Sequence, residues 1–101
     1  MKIGLAQVNP TIGDFAANTA IMVRLAAAAR ERACDLVIFP ELALSGYPPR
    51  DLLEKEDFVA ANLEALAHLQ RCVGGIGVIT GFVDRNPGDG GKPLFNAAVL
   101  F

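Results

Sequence analysis

Four apolar residues in an unbroken run, Leu36-Val37-Ile38-Phe39, are followed at once by Pro40 and Glu41. The run reads as a buried strand. An ionised acid at its end is costly in an apolar setting unless it is paired or working. Open α/β sheets carry their chemistry at the carboxyl ends of their strands. Glu41 is therefore the first candidate for catalysis.

Strand-like and helix-like patterns alternate around that run. Lys2 to Val8 reads as a strand, with Gly4 and Ala6 on one face and Ile3 and Leu5 on the other. A turn-rich loop follows, and Asp14 is placed to cap a helix from Phe15 to about Arg32. Within that helix Ala17, Ile21, Leu25 and Ala29 form an i, i+4 apolar stripe. Pro48 and Pro49 stiffen the loop from Pro40 to Arg50. Asp51 then caps a second helix running to about Val73, with Phe58, Ala61, Ala65, Leu66 and Leu69 as its core face and Gly74-Gly75 as its stop. Ile76 to Val83 is a third strand. Gly77 and Gly81 thin one of its faces, so something should approach its backbone closely there. A loop from Asp84 to Pro93 leads into Leu94 to Phe101, the second member of an expected antiparallel pair.

The order β-α-β-α-β-β implies an α/β layered fold whose first part is parallel. Two helices on one face of a sheet leave the other face bare, which calls for a missing half or a partner. The chain also stops inside a strand-like stretch, Val99-Leu100-Phe101, and is expected to be the first part of something longer.

Composition narrows the function classes. With 101 residues, 52 % of them hydrophobic, the chain suits one small globular α/β domain. A net charge of −2 excludes the basic footprint of a nucleic-acid binder and a polybasic lipid anchor. No apolar stretch approaches the ~20 residues of a membrane span. Met1 to Leu5 runs straight into a strand pattern and lacks the features of a signal peptide. Cys34 and Cys72 read as free thiols, small buried hydrophobes in a reducing, cytoplasmic setting. No metal-ligand cluster, phosphate loop or Cys-x-x-Cys pair stands in the sequence. His68 reads as a surface or half-buried helix residue, and Ser45 lacks the preceding glycine of a nucleophile elbow. A carboxylate after a strand is also commonly an N-cap or a salt-bridge partner, and spacing alone leaves those readings of Glu41 open.

Three longer stretches carry a resemblance. They are Gln7-Val8-Asn9-Pro10-Thr11-Ile12-Gly13-Asp14-Phe15, the segment from Phe39-Pro40-Glu41-Leu42 through Ser45-Gly46-Tyr47-Pro48-Pro49-Arg50-Asp51-Leu52-Leu53, and Phe95-Asn96-Ala97-Ala98. Together they resemble the start of a nitrilase-superfamily, or carbon–nitrogen hydrolase, domain. The Gly-Tyr-Pro-Pro-x-Asp-Leu-Leu variant is similar to the glutaminase domains of glutamine-dependent NAD+ synthetases. The resemblance implies the amino-terminal portion of a four-layer α-β-β-α sandwich, with residues 1–101 an incomplete domain whose remainder is absent.

It also implies a Glu-Lys-Cys mechanism acting on glutamine. Glu41 matches the general base that activates a cysteine thiol, the lysine stabilises the tetrahedral oxyanion, and ammonia leaves. Tyr47 matches a tyrosine of the motif and is expected either to line the glutamine pocket or to pack the loop. The ammonia would pass to a separate domain, using ATP and Mg2+, that amidates nicotinic acid adenine dinucleotide. The parent enzyme is implied to be a homo-oligomer, without nucleic-acid or membrane partners and without a metal site in this chain. The family's lysine and cysteine fall beyond Phe101. Lys92 precedes the last strand, and Cys34 and Cys72 match no nucleophile position, so the chain alone is expected to be inactive. Two rival readings are another amidase of the same superfamily and a catalytically inert interaction module that associates through its bare face.

Overall fold

The computed structural model describes all 101 residues. In chain order they form β1 (Ile3–Leu5), α1 (Phe15–Glu31), β2 (Leu36–Ile38), a short 3-10 turn (Arg50–Glu54), α2 (Glu56–Cys72), β3 (Gly77–Arg85) and β4 (Leu94–Leu100). The sheet order is β1-β2-β3-β4, with β1, β2 and β3 parallel and β4 antiparallel to β3. The expected order of elements and the expected mixture of parallel and antiparallel pairs are both present. No helix is long and apolar enough to cross a membrane.

Register explains which face is buried. Gly4, Val37 and Val78 stand side by side across the three parallel strands. Because side chains alternate along a strand, Phe39, Thr80 and Phe82 share that face. Met22 and Ala26 of α1 and Ala65, Leu66 and Leu69 of α2 close a core over Val37, Phe39, Val78 and Phe82. The opposite face has no such cover: Ile3, Leu5 and Leu100 are 49 %, 76 % and 67 % exposed. The bare face expected from two helices is therefore real at β1 and at Leu100, while Gly81 and Val83 on the same face are buried.

Asp14 caps α1 as expected, its carboxylate accepting from the Ala17 N–H at 3.1 Å. Several local expectations are corrected. The buried stripe of α1 is Asn18, Met22 and Ala26 with Thr19, one position round from the expected Ala17, Ile21, Leu25 and Ala29. The helix turns that way because it faces both the sheet and α2. Leu25 and Ala29 are left half-buried beside Gly4 and Ala6 of the edge strand. β1 is shorter than expected because β2 offers it only three paired residues.

Asp51 does not cap α2. Arg50 lies in the left-handed region at φ 53°, and i, i+3 bonds from Leu52 to Pro49 and from Lys55 to Leu52 hold a separate 3-10 turn. The α-helix starts afresh at Glu56 after an extended Lys55. Cys72 is exposed rather than buried, its sulfur 3.5 Å from His68 Nε2 on the outer side of α2, while Cys34 is half-buried.

The thin face at Gly81 has an occupant inside the chain. A Cβ added there would stand 2.7 Å from the Leu42 nitrogen and 3.0 Å from the Glu41 Cα. The close approach expected of this face is made at Gly81 by the turn that carries Glu41. Gly81→Ala is predicted to destabilise the fold by about 1–3 kcal/mol, since only backbone can yield. Urea unfolding of the two proteins measures the difference.

Candidate active site

The turn that carries Glu41 is built from the end of β2. Phe39 still donates to the Ile79 carbonyl at 2.9 Å, and Pro40 then ends the pairing. Leu42 takes a left-handed conformation at φ 52°, and the Gly46 N–H closes the turn onto the Leu42 carbonyl at 2.9 Å. Leu42, Ala43, Leu44 and Ser45 are all buried, so the turn is fastened from below while Glu41 projects to solvent.

The fastening comes from α1 and from the loop after β1. Asn18, only 2 % exposed, donates to the Leu44 carbonyl at 2.9 Å and to the Thr11 carbonyl at 2.8 Å, and its own oxygen accepts from the Thr11 N–H at 2.9 Å. The Gly13 N–H donates to the Ser45 carbonyl at 2.9 Å. Gly46 sits at φ 82° so close to Ile12 that a Cβ would fall 2.7 Å from the Ile12 Cα. The Thr11–Asp14 loop is thus the backing of the Glu41 turn. Ser45 is wholly buried, and its hydroxyl donates to the Gly46 carbonyl at 3.1 Å, so it is structural and not a nucleophile.

On the outer side, Glu41 Oε1 accepts a hydrogen bond from Asn96 Nδ2. Asn96 stands on β4 opposite Val83, on the uncovered face. Glu41, Tyr47, Leu53, Phe95 and Asn96 share an open groove of about 320 Å³. Tyr47 is 63 % exposed and precedes a cis peptide bond to Pro48. The two site residues expected from sequence are therefore brought to one groove. Cys34, Cys72 and Lys92 lie outside it. The salt bridges of the chain, Arg71 to Glu64 and Arg85 to Glu56, do not involve Glu41. No three His, Cys, Asp or Glu side chains converge as a metal site would require.

Chemically, this is a carboxylate with one oxygen held and the other open, at the rim of an apolar groove with no cation beside it. It can accept a proton from a group delivered to it. Sequence reasoning missed Asn18 and left Asn96 without a role. In each case the available signal was a polar residue at an otherwise apolar structural position.

Residues 2–101 match the family described as Carbon-nitrogen hydrolase. A glutamine-dependent NAD(+) synthetase of Synechocystis sp. is 43 % identical over 102 residues, covering 97 % of this chain and 18 % of that protein. The glutamine-dependent NAD+ synthetase of Acinetobacter baumannii, solved in complex with ADP, aligns at a TM-score of 0.87 and 36 % identity over 98 % of this chain and 18 % of that one. An amidase from Nesterenkonia sp. shares the fold, with a TM-score of 0.76 at 24 % identity over 83 % of this chain and 32 % of that one. The chain spans 17–18 % of the length of the first two curated relatives it matches.

Asn18→Ala is predicted to cost about 2–3 kcal/mol, because it strips the partners from two carbonyls and an N–H at a buried site. Thermal unfolding measures the loss. Hydrogen exchange should show faster opening of Leu42 to Gly46 in the variant than in the wild type.

Proposed function

The chain belongs to the carbon–nitrogen hydrolase family, and on that premise we propose that it is the amino-terminal part of a glutaminase domain serving a glutamine-dependent NAD+ synthetase. The observation that carries the reading is Glu41 itself: an unpaired acid at the carboxyl end of a parallel strand, in a groove, with a single side-chain partner that is neutral. The near full-length match of this chain to synthetases of that name supports the substrate.

In the proposed reaction Glu41 takes the proton of a cysteine thiol supplied by the remainder of the domain. The thiolate attacks the carboxamide carbon of glutamine, and a lysine, also supplied from there, stabilises the oxyanion. Glu41 returns the proton to the leaving nitrogen, ammonia departs, and Glu41 then deprotonates the water that attacks the thioester, passing that proton back to the cysteine sulfur as glutamate leaves. Tyr47 lines the glutamine pocket. The remainder of the domain covers the bare face with the second sheet of the sandwich, and the whole enzyme is a homo-oligomer.

ATP and Mg2+ belong to the separate synthetase domain of this proposal. No phosphate loop or acidic cluster in these residues suits them, and no step here runs through them.

In the full-length gene product Glu41→Gln is predicted to lower the kcat of glutamine hydrolysis by about 10³-fold, the scale of a lost general base. Ammonia release is the readout. The 101-residue chain alone should release none, and ammonia from it would refute the assignment of a cysteine and a lysine outside it. Hydrolysis of simple amides by the full-length protein without glutamine-dependent NAD+ formation would favour another amidase of the family.

A further inference from the structure

Asn96 is out of place in its strand. β4 reads Leu-Phe-Asn-Ala-Ala-Val-Leu, and asparagine is among the poorer strand formers. Its neighbours on the same face, Leu94, Ala98 and Leu100, are apolar, as a face awaiting cover should be. The seven-pair ladder between β3 and β4 holds it opposite Val83, two residues along β3 from the Gly81 that supports the Glu41 turn. From there Nδ2 donates to Glu41 Oε1, the one side-chain hydrogen bond that Glu41 receives from this chain.

We propose that Asn96 is the positioning residue for Glu41, holding Oε1 as an acceptor and leaving Oε2 as the oxygen that takes and returns the proton. This rests on the reading of Glu41 as general base. A glutamate on an open surface has three side-chain torsions to settle, and proton transfer needs the carboxylate at a fixed place. A strand locked into the sheet supplies that place through one bond.

The partner's chemistry fits the task. A carboxamide is neutral and always a donor through its NH2, so it orients the carboxylate without competing for the transferred proton. A lysine or arginine there would strongly favour the ionised acid and oppose proton uptake, and an aspartate would repel it. The Asn96 bond also survives the catalytic cycle. When Oε2 carries the thiol proton, Oε1 still accepts from Nδ2; when that proton passes to the leaving nitrogen, the same bond remains. Asn96 therefore has no chemical step of its own.

The test uses steady-state glutamine hydrolysis by the full-length gene product. Asn96→Ala is expected to lower kcat about 10²-fold, the scale of a misplaced catalytic group, with KM changed less than about twofold and Tm retained. Asn96→Asp, nearly identical in shape, should lower kcat further, and Asn96→Gln, which keeps the amide donor, should recover part of the loss. In a Glu41→Gln background Asn96→Ala should cost nothing more, because the residue acts through Glu41. Wild-type kcat in both Asn96→Ala and Asn96→Asp overturns the proposal, and so does an undiminished penalty in the Glu41→Gln background. Full glutaminase activity in Glu41→Gln itself overturns the general-base reading, and this proposal with it.

Discussion

The absence of a side chain at Gly81 is the constraint on which the rest of the site depends. At this position two backbones meet at a distance that no Cβ would permit, with the Leu42 nitrogen and the Glu41 Cα lying where one would sit. That contact lets the chain leave β2, fold over the carboxyl end of the sheet and lie against β3. Without it the Glu41 turn would stand off from the sheet, and the carboxylate would lose its place beside β4. A single missing methyl thus sets the height of the acid above the strands.

Everything else about the turn serves to hold it at that height. Asn18 reaches out of α1 and satisfies backbone groups of two loops at once. Its burial would be costly if its amide were unpaired, and with three bonds made it becomes a rivet. Leu42 to Gly46 are all buried, while Glu41 and Tyr47 on either side of them are exposed to solvent. The two loops after β1 and β2 are joined by these bonds into one unit. Rigidity here comes from backbone hydrogen bonds and close packing, which suits the general-base role proposed for Glu41.

The exposed acid and the uncovered apolar face lie on the same side of the sheet. Asn96, Ala98 and Leu100 of β4 and Ile3 and Leu5 of β1 look the same way, and the Glu41 turn borders them. Under the proposed function, covering that face and completing the active site are one event. The segment that buries the apolar residues would also surround Glu41 and bring it a nucleophile, excluding water from the groove as it does so. Half a sheet sandwich and one third of a catalytic triad then belong together.

Much of this architecture was legible in the sequence. Apolar runs marked four strands, and the two helices announced themselves by length and periodicity. Those readings succeed because they depend on neighbours a few residues apart. The helix stripe in α1 failed because the direction a helix faces is chosen by what packs on it, and Asp51 failed as a cap because Arg50 adopts a left-handed turn. Asn18, Gly81 and Asn96 could not be assigned from local pattern at all. Asn18 meets Leu44 across 26 positions of sequence and Asn96 meets Glu41 across 55. The sequence alone determined that an acid would stand at the end of a buried strand. Only the tertiary structure decided what supports that acid, which of its oxygens is held and which face it shares, because each of those is a contact between segments that folding alone brings together.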